Sequence, residues 1–291
     1  MKILVTGASG KLGNRILELG KDYEIYGTFF SHSIPPNLFQ LDIRNYQQVL
    51  KLLNKIKPDV VIHTAAMTNT DKCEDNILQA WLTNTSGTLY IAKACKKIGS
   101  KLIYISTDYV FDGEKGNYNE SDITNPINIY GITKRVGELE CMRILKDFLI
   151  LRTSNLYGWF PRFKENNFIT FLLNSLKQNK KLDVVEDLFY TPTYINNLAE
   201  IIFEAIERDL HGLYHATGCE AISRYDFARR IATMFELNPN LINPIKMIDA
   251  TWWKTPRPKN TSLDTHLIAK KLKTKLLNID EGLEKVRDET R

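Results

Sequence analysis

The chain has 291 residues, 43% of them hydrophobic and 25% charged, and its 39 Lys and Arg against 34 Asp and Glu leave a formal charge of +5. These are ordinary globular values, and they exclude a disordered, collagenous or coiled-coil chain. No apolar run approaches the roughly 18–20 residues that a membrane-spanning helix requires, and the amino terminus lacks the pattern of a signal peptide. The length predicts one main domain with a smaller lobe.

The four cysteines, Cys73, Cys95, Cys141 and Cys219, lie far apart and form no CxxC pair. This spacing predicts free thiols rather than a disulfide framework or a zinc site, and it favours the cytoplasm. The positive charge is spread along the chain, and the run KKLKTK at 270–275 is typical of a solvated helix face. We therefore expect no metal, no nucleic-acid partner and no membrane partner.

The first half of the chain alternates short apolar runs with helical stretches. Strands are predicted at 2–6, 24–29, 59–62, 101–105 and 148–151, and helices at 11–19, 46–56, 77–97 and 128–145. Such βαβ units predict a parallel sheet with helices on both faces, because its crossover connections are right-handed. The predicted fold class is α/β, with a doubly wound parallel-sheet Rossmann domain and a smaller C-terminal substrate-binding lobe.

This alternation ends after residue 152, where prolines and aromatic residues become frequent. Helices are predicted at 196–207 and 225–235, on either side of a strand at 212–216. We expect residues 1–155 to form the dinucleotide-binding domain, to which 193–218 returns, and residues 156–291 to form the substrate-binding lobe. Ligands of such sheets lie outside the carboxyl ends of the strands.

A glycine motif, TGASGKLG at residues 6–13, follows the first strand and opens the first helix. Gly7 permits a tight turn, Gly10 lets the backbone approach a pyrophosphate, and Gly13 lets the helix pack closely on the strand. The motif predicts dinucleotide binding. Its predicted cofactor-binding residues are Gly7, Ser9, Gly10, Lys11, Leu12 and Gly13.

The identity of the dinucleotide is indicated by the second strand, which ends without the acidic residue typical of NAD sites. Ser31, His32 and the nearby Arg15 could instead receive a 2′-phosphate, which favours NADPH and leaves NADH open. Asp42, next to Ile43, could bind the adenine amino group or cap the helix that begins at Tyr46. Both alternatives remain open for this carboxylate.

Small residues end the third strand, where Ala65 and Ala66 would let the cofactor lie against the backbone. A second motif, YGITK, places Tyr130 and Lys134 on one helix face, and Thr107 ends the fourth strand. A tyrosine titrates near pH 10. We expect the Lys134 ammonium to lower the pKa of Tyr130 and to contact the nicotinamide ribose, while Thr107 orients a carbonyl.

These motifs resemble those of the extended short-chain dehydrogenase/reductases across residues 1–155. The matching segments are TGASGKLG, HTAA at 63–66, STDYVFDG at 106–113 and YGITK. Within that family, LRTS at 151–154, TPT at 191–193 and RPKNTSLD at 257–264 resemble the dTDP-4-dehydrorhamnose reductases. The resemblance implies that Thr107, Tyr130 and Lys134 are catalytic. It also implies reduction of the 4-keto group of a dTDP-6-deoxy sugar by NADPH or NADH in dTDP-L-rhamnose biosynthesis, and a homodimer.

The same resemblance suggests substrate contacts for Thr107, Asp108, Tyr109, Asn155 and Arg257. Tyr109 stands where the dehydratases of the family carry Glu, which disfavours dehydration. Asn155 stands where the reductases commonly carry Trp, so the identity of the sugar stays open. Arg152, Arg257 and Lys259 are candidates for the diphosphate, with Arg257 the best of the three, because arginine binds phosphate in pairs; Arg152 could equally form a structural ion pair. Tyr157, Trp252 and Trp253 are candidates for the sugar or thymine pocket or for core and interface packing.

Two other functions remain open. The regulatory beta subunit of methionine adenosyltransferase binds NADP and a partner subunit, and it has a segment very similar to STDYVFDG. The second alternative is a sugar-nucleotide epimerase, which would purify with tightly bound NAD. The set of Thr107, Tyr130 and Lys134 argues for an enzyme, but it does not separate a reductase from the regulatory subunit.

Overall fold

The computed structural model of the protein describes residues 1–31, 38–160 and 168–291. The strands are β1 (Lys2–Thr6), β2 (Glu24–Phe29), β3 (Phe39–Gln40), β4 (Val60–His63), β5 (Lys101–Thr107), β6 (Phe148–Thr153), β7 (Leu156–Tyr157), β8 (Leu182–Val185), β9 (Phe189–Tyr190), β10 (Thr193–Tyr194), β11 (Gly212–His215), β12 (Ile222–Ser223) and β13 (Ile242–Ile245). The helices are α1 (Lys11–Leu19), α2 (Tyr46–Ile56), α3 (Thr70–Asp75), α4 (Ile77–Ala80), α5 (Thr88–Ile98), α6 (Ile129–Ile144), α7 (Phe168–Lys177), α8 (Ile195–Glu207), α9 (Arg224–Met234), α10 (His266–Ala269) and α11 (Ile279–Glu289).

The main sheet has seven strands in the order β11-β6-β5-β4-β1-β2-β3. Each neighbouring pair is parallel. The chain runs outward from β1 through β2 and β3, then crosses to β4 and continues in the other direction. The strand order therefore reverses between β1 and β4, and a crevice opens at the carboxyl ends of these two strands.

Helices cover both faces of this sheet, as the doubly wound prediction requires. One face packs against apolar residues of α1 and α8, including Ile16 and Leu198. The other packs against α2, α5 and α6, including Leu53, Ile91 and Cys141. Every residue of β5 is buried, because a central parallel strand is covered on both sides. The predicted α/β fold is confirmed.

A second apolar core lies in the later part of the chain, under α7, α9 and α11. Short two-stranded sheets border it, formed by β7 with β10, β9 with β12, and β8 with β13. Tyr157, Phe227 and Leu283 are among its buried residues. By contrast, β11 lies beside β6 in the main sheet.

The segment predicted as one helix at 77–97 is interrupted. A π-helical turn, Trp81–Gly87, joins α4 to α5. Its buried Asn84 accepts a hydrogen bond from the N–H of Met67 at 2.8 Å and donates one to Thr133 Oγ1 at 3.1 Å. The turn thereby ties the segment after β4 to α6. Helical periodicity alone does not reveal such a turn, because these partners are remote in sequence.

Several elements went unpredicted, among them α3, α7 and α11. The start of α11 is a capping box, in which Asn278 and Glu281 bond to each other's backbone. The four cysteines are free thiols, as expected. Across the three described ranges, no helix is long and apolar enough to cross a membrane.

Candidate cofactor and active site

An open cavity lies where the strand order reverses, between the loops that follow β1 and β4. Its lining residues are Gly7, Ser9, Gly10, Thr28, Phe29, Phe30, Leu41, Asp42, Ile43, Arg44, Thr64, Ala65, Ala66 and Thr83. Ser9, Asp42, Ile43, Ala65 and Ala66 were among the predicted cofactor residues. Thr28, Phe30 and Arg44 were not, because their contribution depends on how the strand ends are arranged in space.

The glycine loop is built to keep side chains away from this cavity. Gly7 has φ +71°, and a Cβ there would lie 2.7 Å from the Cα of Ala65. A Cβ on Gly13 would lie 2.7 Å from the Cα of Ala8, so α1 packs directly on the loop. The bare backbone at the start of α1 suits a pyrophosphate, which interacts favourably with helix N-termini. The described residues therefore fit a dinucleotide.

Other predicted cofactor residues lie outside the cavity lining. Leu12 is buried in the apolar core against the sheet, and the Lys11 ammonium lies 5.5 Å from the centre of the Phe160 ring. Ser31 is exposed. His32, also predicted to bind the cofactor, lies outside the described residues.

Arg15 was a candidate for the 2′-phosphate, and the structure contradicts this role. Its guanidinium pairs with Glu18 at 2.9 Å and with Glu289 at 3.8 Å. Arg15 points from α1 towards α11, away from the residues that line the cavity. The side chain was proposed from proximity in sequence, but its direction is set by the helix face on which it lies.

Arg44 is a positively charged residue at the cavity that was not predicted from the sequence. Its guanidinium lies 4.7 Å from the centre of the Phe30 ring, and it bonds to Asp42 through Nε and Nη2, each at 2.8 Å. These hydrogen bonds lower the pKa of Asp42. Asp42 does not cap α2, since the cap is Asn45, which accepts from the N–H of Gln48 at 3.1 Å.

Thr107 and Tyr130 meet at the carboxyl end of β5. Asn128 caps α6 by accepting from the N–H of Gly131 at 2.9 Å. A Cβ on Gly131 would overlap the carbonyl oxygen of Tyr109, so only glycine lets α6 approach the turn after β5 this closely. The first turn of the helix thereby holds Tyr130 beside the strand end.

The protonation of Tyr130 differs from the expectation. Burial raises the pKa of this phenol, and a hydrogen bond with Thr107 acts in the opposite direction. The Lys134 ammonium does not face the phenol. It donates to the carbonyl oxygen of Ile105 at 2.7 Å and lies 4.0 Å from the centre of the Tyr104 ring. Burial lowers the pKa of Lys134 to about 7. The predicted lowering of the Tyr130 pKa by Lys134 is therefore wrong for this structure.

Asp108 is buried and acts as the acceptor of several hydroxyl groups. Thr107 donates to its Oδ1 at 3.0 Å, while Ser154 at 2.7 Å and Thr261 at 2.5 Å donate to its Oδ2. Burial raises the pKa of Asp108, and these hydrogen bonds oppose that effect. The carboxylate joins the ends of β5 and β6 to the segment around residue 261, so it orients Thr107.

Tyr109 follows Asp108, and its ring is edge-on to Tyr130 with 5.9 Å between centroids. Arg257 lies nearby, since its charge lowers the pKa of Tyr109 against the larger effect of burial. The Arg257 guanidinium pairs with Asp71 at 2.9 Å and lies 5.5 Å from the centre of the Trp253 ring. The Arg257 guanidinium therefore lies close to Tyr109, which directly follows the end of β5.

Arg152 was a candidate for the diphosphate, and the structure shows a structural ion pair instead. It bonds to Glu138 through Nε and Nη2, each at 2.9 Å, and both side chains are buried. Ser106 donates to the same carboxylate at 2.6 Å. This ion pair joins β6 to α6 beneath the site, where a substrate phosphate has no access.

The remaining candidates are dispersed. Asn155 follows β6 with φ +38°, Lys259 is exposed, Tyr157 is buried in the second core, and Trp252 is 53% exposed. Trp253 packs edge-on against Trp252. Within the described part of the chain, no group of three or more His, Cys, Asp or Glu residues could hold a metal ion.

The RmlD substrate binding domain family matches residues 1–291. The chain belongs to this family. A dTDP-4-dehydrorhamnose reductase of Aggregatibacter actinomycetemcomitans is 34% identical over 90% of this chain and 90% of that protein. The methionine adenosyltransferase 2 subunit beta of Xenopus tropicalis is 32% identical over 92% of this chain and 82% of its own length.

Among solved structures, a dTDP-4-dehydrorhamnose reductase from Bacillus anthracis in complex with NADP superimposes with a TM-score of 0.89. It is 31% identical, and the match covers 99% of both chains. The RmlD family therefore accounts for the whole architecture, including the later core, and not for the nucleotide-binding motifs alone.

Proposed function

We propose that this protein is an NADPH-dependent reductase that acts on the 4-keto group of a dTDP-linked 6-deoxy sugar, the activity named for its reductase relatives. The observation that carries the proposal is the position of Tyr130 in the first turn of α6, which packs on the turn directly after Thr107 at the carboxyl end of β5. A proton donor there lies at the same edge of the sheet as the cavity that the glycine loop lines, since both are at the carboxyl ends of parallel strands, and hydride transfer to a ketone requires a proton donor on the cofactor side.

The cofactor is held by the residues of that cavity. The glycine loop receives the pyrophosphate, and Ala65 and Ala66 border the path towards the nicotinamide end. Arg44 supplies positive charge for a 2′-phosphate beside the cavity, which favours NADPH over NADH; its Nε and Nη2 bond to Asp42, so the phosphate is met by the outer side of the guanidinium. The complex of a relative with NADP supports this choice.

NADPH held along the glycine loop would supply the hydride for the carbonyl carbon of the sugar. As the C–O double bond opens, the Tyr130 O–H bond breaks and its proton passes to the developing alkoxide oxygen. Because burial raises the pKa of this phenol, Tyr130 carries its proton at neutral pH and can act as the donor. Thr107 positions the Tyr130 hydroxyl, Lys134 would bind the nicotinamide ribose, and solvent returns a proton to Tyr130.

The substrate lies on the open side of Tyr130, between the cofactor domain and the lobe. We assign residues 1–155 and the returning segment 193–218 to the cofactor domain, and the rest to the lobe. Thr107, Tyr109 and Arg257 face the substrate, with Asp108 behind them as the residue that orients Thr107. The free thiols fit a cytoplasmic protein. The family resemblance implies a homodimer, which analytical ultracentrifugation would test.

The deciding assay follows NADPH and NADH oxidation with dTDP-4-dehydrorhamnose, in wild type and Tyr130→Phe. We expect turnover with a preference for NADPH, and a fall in kcat of about 10²–10⁴-fold in the variant. NADPH that binds but is not oxidised would contradict the proposal in favour of a regulatory subunit. Tightly bound NAD in the purified protein would favour an epimerase. Turnover that persists unchanged in Tyr130→Phe would remove that residue from the mechanism.

A further inference from the structure

A short antiparallel ladder in the lobe brings a cation close to the active site. In it, β12 pairs with β9, with Ile222 opposite Tyr190 and Ser223 opposite Phe189. The N–H of Arg224, the first residue of α9, donates to the carbonyl oxygen of Leu188 at 2.8 Å. Arg224 is therefore fixed next to the strand that carries Tyr190.

The other edge of β9 faces the segment that carries active-site residues. The N–H of Phe189 donates to the carbonyl oxygen of Lys259 at 2.8 Å, and the N–H of Thr261 donates to the carbonyl oxygen of Phe189 at 2.9 Å. Thr261 also donates to Asp108. One strand thus links Arg224 on one side to the residues that orient Thr107 on the other.

Aromatic rings hold the Arg224 side chain in place. Its guanidinium lies 3.9 Å from the centre of the Phe168 ring, Phe168 stacks on Phe227 with 6.3 Å between centroids, and Tyr190 meets Phe227 edge-on at 6.2 Å. The arginine and the tyrosine therefore border one aromatic cluster. Neither is a flexible surface side chain.

Two polar groups in this cluster lack a well-placed partner in the part of the chain that the structure describes. The half-buried Arg224 has no carboxylate within ion-pair distance among the described residues, whereas Arg230 on the same helix pairs with Glu220 at 2.8 Å. Among the described residues, no group lies in good hydrogen-bond geometry with the Tyr190 hydroxyl, although Arg224 and Asn155 lie near it and only 4% of this residue is exposed. An unpaired cation and an unsatisfied buried hydroxyl each carry a free-energy cost, which a ligand with oxygen acceptors would offset.

The cluster that contains Tyr190 and Arg224 lies near the residues that follow β5 and β6. Burial raises the pKa of Tyr190 to about 12, and the nearby Arg224 and Asn155 lower it. Asn155 follows Ser154, which donates to Asp108. The charge of Arg224, like that of Arg257, also lowers the pKa of Tyr109, whose ring lies against Tyr130. Arg224 is therefore close enough to Tyr109 for its charge to act on that phenol.

We propose that Asn155, Tyr190 and Arg224 form a polar subsite for the sugar of the substrate, where Arg224 donates hydrogen bonds to a ring hydroxyl. This inference rests on the proposed function. The sugar is favoured over the diphosphate because the sugar is the part of the substrate that must reach Tyr130, and Asn155 lies at the end of β6, beside the residues that orient Thr107. Arg257, paired with Asp71, serves the diphosphate.

The test measures the affinities of dTDP and dTDP-rhamnose by calorimetry for wild type, Arg224→Gln and Tyr190→Phe. We expect Arg224→Gln to weaken dTDP-rhamnose about 10–100-fold, the loss of a charged hydrogen bond, and to leave dTDP unchanged. Tyr190→Phe should weaken only dTDP-rhamnose, and by less. Arg229→Gln, an exposed position on the same helix, is the matched control. Arg224→Lys keeps the charge and should recover part of the affinity.

The outcomes separate the two proposals. Equal weakening of dTDP and dTDP-rhamnose in Arg224→Gln would overturn the sugar subsite and assign Arg224 to the diphosphate. Unchanged affinity for both ligands would also overturn it and leave Arg224 a packing role on Phe168. Wild-type protein that binds NADPH but neither dTDP ligand would overturn the proposed function itself, and with it the subsite.

Discussion

The Thr107 hydroxyl donates a hydrogen bond to the Asp108 carboxylate at 3.0 Å. The same oxygen accepts the N–H of Tyr109 at 3.2 Å. A hydroxyl has one proton and two lone pairs, so one lone pair remains for Tyr130. Asp108 therefore sets the direction of the Thr107 hydroxyl, and through it the resting position of the Tyr130 phenol.

Asp108→Asn tests this orientation. An amide has one acceptor oxygen, so at least one of the three donating hydroxyls loses its acceptor, and we expect the free energy of unfolding to fall by about 1–3 kcal/mol. We also expect kcat to fall at least about 10-fold, as for a displaced proton donor, with the NADPH KM unchanged. Steady-state kinetics and urea denaturation check both, with the exposed Asp22→Asn as control. A changed KM at constant kcat would contradict the orienting role.

Arg44→Gln tests the source of the cofactor preference. Removal of the guanidinium should lower the ratio of kcat/KM for NADPH to that for NADH by about 10–100-fold, because charged hydrogen bonds contribute about 1.5–3 kcal/mol. Arg15→Gln is the matched control, since Arg15 is paired with Glu18 and Glu289. An unchanged ratio in Arg44→Gln, or a fall in the Arg15 variant instead, would place the 2′-phosphate elsewhere.

Lys134→Met tests the burial of the catalytic ammonium through the pH dependence of stability. The pKa of Lys134 is about 7 in the folded protein and near 10.5 when exposed. Between these values the unfolded chain binds the proton and the folded one does not, so the free energy of unfolding rises with pH. The slope contributed is up to about 1.4 kcal/mol per pH unit.

The variant should lack this slope between about pH 7 and pH 10, whereas the exposed Lys51→Met should keep it. Guanidinium denaturation of the cofactor-free protein across that range gives both slopes. Parallel pH profiles for wild type and Lys134→Met would mean that Lys134 keeps its proton throughout, and that Glu138, whose charge raises the Lys134 pKa, outweighs burial.

Glu138→Gln tests the ion pair beneath the site. Breaking the pair leaves Arg152 buried without its counter-charge, so we expect the free energy of unfolding to fall by about 3–5 kcal/mol. Replacing both residues with leucine should recover much of this. Glu140→Gln, which breaks an exposed pair with Arg143 on the same helix, should cost less than about 1 kcal/mol. A loss as small for Glu138→Gln would contradict a structural role.

Much of the fold is encoded in local patterns. The apolar run at 101–105 predicted a buried central strand, and β5 is buried throughout. The glycine spacing at 6–13 located a turn that Gly7 makes with φ +71°. Both follow from properties of a few consecutive residues, namely strand burial and backbone freedom. The π-helical turn at Trp81–Gly87 escaped prediction because it depends on Asn84 reaching Met67 and Thr133.

The sequence by itself determined the α/β class, the position of the glycine loop and the spacing of Tyr130 and Lys134 on one helix. These features repeat at fixed intervals along the chain. Only the tertiary structure decided which charged side chains are available to a ligand. Arg152, Arg15 and Arg44 are equivalent as residue types, yet the first is buried with Glu138, the second pairs across the surface, and the third borders the cavity. Their partners come from distant segments, so the geometry that assigns them exists only in the folded chain.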